Sequence, residues 1–203
     1  MSVETAEELF VEELKDLYSA EKQIVKALPK VAKAVESDEL RQAIEEHLVQ
    51  TKGHVERLDR IFEILGKRAS GKTCKGAQGL IEEGSEQIEE IDEGPVLDAA
   101  LISALQRVEH YEIAAYGTVA TFAEAMGQSE IHQLLGETLQ EEKEADEKLT
   151  EISHDVNSEA MSGAEEEDVE IEEEEVEEVG SSRKPAKSAL RAGKSKNKRG
   201  RAA

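Results

Sequence analysis

The chain has 203 residues, 38% of them hydrophobic and only 3% aromatic, with no tryptophan. Its formal charge is −22, and residues 1–155 carry most of it, with 35 acidic against 16 basic side chains. That composition suits a helical bundle built on Leu, Ile, Val and Ala rather than a β-sandwich. So acidic a body repels nucleic acid and anionic membrane while concentrating cations near its surface.

In chain order, the N-terminus MSVETAEELF is acidic and has no apolar leader core. No run is long and apolar enough for a membrane span. The expectation is a cytoplasmic protein that does not engage membrane. The first helix is predicted to start near Val3–Glu4, with Pro29 kinking it or costing a bond near Val25. A turn at 36–38 with Ser37 or Asp38 as cap leads to a second helix ending at Leu65, where Gly66 stops it. Residues 66–79 read as a flexible basic connector. Its Cys74, the only cysteine, is predicted to be an exposed free thiol. A shorter helix follows over about 77–91. Pro95 opens a third long helix that Gly127 ends. Ser129 is read as the cap of a fourth, which is predicted to die out at 154–157.

Both hairpins have short turns, so each pair is antiparallel. The segment between Gly66 and Pro95 can travel the full length of a bundle at about 1.5 Å per helical residue. An up-down pair, a long crossover and a second pair make an all-α four-helix bundle of ferritin-like connectivity, its crossover carrying an extra helix. Residues 1–156 form that domain. Residues 157–203 read as a disordered tail, first acidic (11 acids in 165–178) and then basic (nine Lys or Arg in 183–201). Only that basic end could contact nucleic acid.

Read at a period of 3.6, each long helix carries polar groups on the stripe that should be apolar. These are Glu21 on the first, His47, Thr51 and His54 on the second, Asp98, Glu109 and Glu112 on the third, and Glu142 and Asp146 on the fourth. A buried carboxylate is costly unless paired or bound to a cation. Four helices that each place an acid or a histidine near mid-length point to a shared metal site. Glutamate and histidine suit iron, manganese or zinc better than calcium. The plainer alternatives are acids that reach water along the helix surface, a His54 that only packs, and a His47 that packs or supports. His110 and His132 are read as exposed. Tyr18, Tyr111 and Tyr116 are read as packed rings with hydrogen-bonded hydroxyls.

The segments ELKDLYSAEKQIVKALPKVAKA (13–34), HLVQTKGHVERLDRIFEILG (47–66), QRVEHYEIAAYGTV (106–119) and LLGETLQEEKEADEKLTEIS (134–153) resemble the YciE/YciF-like family of the ferritin-like superfamily. The resemblance covers about residues 4–155. It implies a rubrerythrin-type bundle, commonly dimeric, linked to bacterial stress responses and described as ferroxidase-like.

Carried over residue by residue, the superfamily's di-iron motif implies Glu21, His54, Glu109 or Glu112, and Glu142 as ligands, with Asp146 nearby. Thr51 stands where a glutamate is expected and Ala145 where a histidine is expected, so two of the six usual positions are altered. The leading expectation is a metal-binding stress-response protein, with iron, one ion or two, oxidised by O2 or peroxide at a mid-bundle carboxylate and histidine site. Manganese and zinc stay open. The alternative is a non-enzymatic stress or scaffold protein with a degenerate site. The crossover edge of Leu80, Ile81, Ile88 and Ile91, together with the resemblance, predicts a homodimer.

Overall fold

The computed structural model describes residues 3–70 and 73–180, with side chains described as far as 162. It contains five helices: α1 (Ala6–Ala34), α2 (Asp38–Ile64), α3 (Lys75–Glu90), α4 (Pro95–Ala125) and α5 (Ser129–Gly180). No strand occurs among the described residues. Residues 1–164 make one compact unit, and 165–203 fall outside it.

The helix ends follow from local chemistry. Thr5 accepts from the Glu8 amide at 3.1 Å while the Glu8 carboxylate accepts from the Thr5 amide at 3.2 Å. This reciprocal box satisfies two amides at the start of α1. Pro29 lies on the exposed side of α1 and does not end it. At the close of α2, Gly66 has φ +62°, with Gly66 N–H bonded to Glu63 O and Lys67 N–H to Phe62 O. Gly127 repeats the arrangement after α4 at φ +68°. A side chain would be strained at either position, which is why glycine stops both helices.

Two apolar clusters show how the helices run. One joins Phe10, Leu14 and Leu17 of α1 to Ile61 and Phe62 of α2, Val119 of α4 and Leu135 of α5. The other joins Leu28 of α1 to Leu40 of α2, Leu101 of α4 and Ile152 of α5. The start of α1 therefore meets the end of α2, the end of α4 and the start of α5. Neighbouring long helices are antiparallel, and the segment containing α3 crosses from one end of the bundle to the other. That is the connectivity the loop lengths predicted. In α3 and at its C-cap, Leu80, Ile81, Ile88 and Ile91 pack half-buried against the second cluster.

Several expectations need correcting. Cys74 is buried: it caps α3, its sulfur accepting from the Ala77 amide at 3.4 Å and lying 3.1 Å from the Tyr111 hydroxyl. The lysines around it in sequence hid an inward-facing position. His132 is half-buried, with Nδ1 2.9 Å from the Ala120 carbonyl oxygen. Asp98 is buried but far from any metal chemistry. Its carboxylate accepts from the Glu36 and Ser37 amides at 2.9 and 2.8 Å, tying α4 to the α1–α2 turn. The last helix does not stop at 154–157. Val156 is still buried, and the Glu-rich sequence beyond it, Glu being a good helix former, carries α5 to Gly180. Residues 181–203, including all of the basic end, lie outside the described residues.

Two outcomes test this packing. Asp98→Ala leaves two amides without an acceptor and is expected to cost about 2–4 kcal/mol, read as a lower midpoint in urea unfolding; an unchanged midpoint would mean the turn is held otherwise. Burial raises the pKa of the Cys74 thiol. Labelling by a thiol reagent is therefore expected to be slow in the native protein and fast in denaturant, and prompt native labelling would show that α3 opens readily.

Candidate metal centre

Between the two apolar clusters lies a polar layer built by all four long helices. α1 supplies Glu21 and α2 supplies His47 and His54, two turns apart on one face. α4 supplies Glu109 and Glu112, one turn apart, and α5 supplies Glu142. Glu21, His54, Glu112 and Glu142 are completely buried. Donor atoms of His47, Glu109, Glu112 and Glu142 lie within 4.8 Å of one another, and so do those of Glu21, His54 and Glu142. Glu142 belongs to both groups, which makes the arrangement a two-part site sharing one carboxylate.

Among the described residues, nine of the ten buried side-chain atoms without a hydrogen-bond partner belong to these six residues. Both oxygens of Glu112 are among them, and both nitrogens of His47. Folded proteins rarely leave such groups unsatisfied, because each costs desolvation with no return. The donors therefore fit a cation. Four carboxylates and two imidazoles could hold two divalent ions with the charges balanced.

The electrostatics agree. Burial, reinforced by the Glu142 charge, holds Glu109 and Glu112 well above the ordinary carboxylate range. Burial also raises Glu21, with His54 pulling the other way. Burial would push the His54 imidazole down, but the Glu142 and Glu21 carboxylates outweigh it and lift it to about 10. Its Nδ1 lies 3.0 Å from Glu142 and 3.5 Å from Glu21. Loss of water lowers His47, whose Nε2 is 3.4 Å from Glu109.

A second layer fixes the first. Arg57 clamps Glu141 with two hydrogen bonds, 2.7 and 2.6 Å, and Glu141 Oε2 lies 2.8 Å from His54 Nε2. With Nε2 turned outward to a carboxylate, Nδ1 is left to face Glu21 and Glu142. Carboxylate support of the far nitrogen is the usual device for orienting a ligand histidine. The buried Tyr116 hydroxyl donates to Glu21, so this ring serves the site as a hydrogen-bonded phenol.

Of the residues expected from sequence, Glu21, His54, Glu109, Glu112 and Glu142 come together. Asp146 does not join either group: it accepts from Gln106 at 3.2 Å and faces the exposed His110 at 3.4 Å. His47, expected to pack or support, stands instead among the donors. Both α4 glutamates face the site, where one was required. The superfamily motif and this site thus use the same donors, four glutamates and two histidines, distributed differently along the helices. Thr51, which occupies the altered position, donates its hydroxyl to the His47 carbonyl at 2.7 Å. Glu141 and Arg57 carried no sequence signal beyond facing positions on neighbouring helices.

The family described as a domain of unknown function, DUF892, matches residues 5–162. The chain belongs to the DUF892 family. Protein YciF of Escherichia coli K12 is 46% identical over 166 residues, covering 81% of this chain and all of that protein. The crystal structure of the E. coli stress protein YciF superposes with a TM-score of 0.75 at 45% identity, over 77% of this chain and 99% of the other. YcfI of Rhodopseudomonas palustris, proposed to be a structural protein, gives 0.72 at 44% identity over 73% and 95%. A Xanthomonas campestris protein at 21% identity and TM-score 0.63 shares the fold. The fold of this family is ferritin-like. Among the described residues of this member, no helix is long and apolar enough to cross a membrane.

Because neither Glu112 oxygen is hydrogen-bonded, Glu112→Gln is expected to leave the metal-free protein at least as stable as the parent. The same change should abolish any rise in melting temperature that added metal produces. A loss of about 1–3 kcal/mol in the metal-free protein would instead mark Glu112 as a structural acid; melting curves with and without metal decide between them.

Proposed function

We propose that this DUF892 protein binds iron at the mid-bundle site and oxidises Fe2+ with O2 or peroxide, as a stress-protective activity. The observation that carries the reading is the set of nine buried donor atoms without a hydrogen bond, converging from four helices in a layer between two apolar clusters. The E. coli relative's description as a stress protein supports the physiological half.

In this reading Fe2+ is the substrate, and two ions give one electron each to reduce peroxide to water. Glu142 bridges the two halves, and Glu21 with His54 Nδ1 completes one of them. His47, Glu109 and Glu112 complete the other. The carboxyl protons of Glu109 and Glu112 leave as the cations arrive, since a ligand must be deprotonated to bind. Arg57 and Glu141 keep His54 in the required orientation, while Tyr116 holds Glu21. The apolar clusters exclude bulk water and keep these charges strong. Manganese or zinc would fit the same donors. Homodimeric assembly and a cytoplasmic setting belong to the same proposal.

One observation favours a scaffold reading, in which the site is no longer an active centre: the description of the R. palustris relative as structural. Fe2+-dependent oxygen or peroxide consumption separates the two. Glu142→Ala, which touches both halves, is expected to lose iron binding and turnover together. Arg57→Ala should weaken metal affinity by about 10–100-fold through His54 alone. Unchanged iron turnover in the Glu21→Ala and Glu142→Ala variants would sink the ferroxidase reading.

A further inference from the structure

The polar layer is sealed along the bundle axis by the two apolar clusters, and over His54 by the Arg57–Glu141 pair. On the α2–α5 side it is not sealed. A cavity of about 130 Å³ opens there between exposed Glu46, Gln50, Glu144 and Lys148, and its deepest lining includes His47 and Glu109. Ala145 forms part of its wall. His47 is nine-tenths buried, and neither of its ring nitrogens has a hydrogen-bond partner.

We propose that this opening is the route by which a hydrated divalent cation reaches the site, with Glu46 and Glu144 as a capture pair at the mouth and His47 as its first inner ligand. The proposal rests on the metal-binding reading above.

Three observations carry it. The mouth is acidic, since Lys148 is engaged by Glu39 at 3.0 Å. Glu46 and Glu144 are each steadied by a glutamine one turn earlier, Gln42 at 2.8 Å and Gln140 at 2.9 Å. Next, the volume admits several waters, so a cation can shed its hydration shell gradually. The other cavity that touches Glu109, about 370 Å³ between α1, α3 and α4, is lined by Ile24, Leu28, Leu80, Ile81, Leu101 and Leu105 among others. An ion entering that way would lose water with little in return. Last, Ala145 lines the passage itself. A large side chain there would occupy the passage, whereas alanine leaves it open.

The test is the rate of Co2+ uptake by the full-length metal-free protein, followed by stopped-flow through the ligand-field absorption of the bound ion. Equilibrium affinity is measured in parallel by dialysis. Ala145→Leu is expected to slow uptake by about tenfold or more, with the affinity nearly unchanged because release slows equally. Glu46→Gln with Glu144→Gln should lower the uptake rate about three- to tenfold and flatten its salt dependence. Gln50→Ala, an exposed truncation that folds without strain, should speed uptake. Ser85→Leu, which fills the apolar cavity instead, should leave the rate alone. Parental rates in both Ala145→Leu and Gln50→Ala, or slowing by Ser85→Leu, would overturn the route while metal binding itself stands. If the parent shows no cobalt absorption at all, the metal reading fails and this inference with it.

Discussion

Four carboxylates out of water, with Glu109, Glu112 and Glu142 within 4.8 Å of one another and Glu21 as close to Glu142, are the constraint on which the rest of this bundle depends. Two imidazoles share their space, but only His54 is held protonated by its neighbours. His47 is pushed towards neutrality by burial. One cationic ring cannot balance four anions, so without metal the layer relies on protons at Glu109 and Glu112, whose pKa values burial raises. Burying so many acids is costly unless protons or a cation offset their charge.

The surrounding structure offsets that cost. Each end of the bundle has its own apolar cluster, so burial of Leu, Ile, Val and Phe side chains proceeds independently above and below the polar layer. The ends are closed by specific hydrogen bonds: the Thr5–Glu8 box, the two glycine stops, and Asp98 reaching from α4 to the α1–α2 turn. The crossover is anchored in the same way. Ser19 accepts from the Cys74 amide at 2.9 Å, Gln23 donates to the Cys74 carbonyl at 3.1 Å, and the Cys74 sulfur lies 3.1 Å from the Tyr111 hydroxyl. These contacts fix α3 against α1 and α4, the two helices that carry Glu21, Glu109 and Glu112.

Much of this was legible in the sequence because helical period is a local property. The stripes through Glu21, His54, Glu109, Glu112 and Glu142 needed only spacing, and Gly66, Pro95 and Gly127 marked the boundaries by backbone chemistry. What was not legible depended on rotation between helices. Asp98 and Glu21 look alike on their stripes; only the packing sends one to backbone amides and the other to a donor cluster. His47 lies two turns from His54, on the same face, so its share in the site depends on how α2 is rotated against α4. Asp146 follows Glu142 by one turn, yet it slips far enough round α5 to meet Gln106. Cys74 sits between lysines, and its burial depends on where the crossover lands on α1 and on Tyr111.

On the metal-binding reading, the altered motif positions make sense as a redistribution rather than a loss. A residue-by-residue comparison reads Thr51 and Ala145 as two missing ligands, since it asks whether each position keeps its type. The chemistry asks only whether enough oxygen and nitrogen donors converge with compensating charge. Here α4 supplies two glutamates where the motif requires one, and α2 supplies two histidines where it requires one. On that reading position 145 need not be a ligand and is free to be small. Its alanine lines the cavity that reaches His47, the most exposed of the six clustered residues.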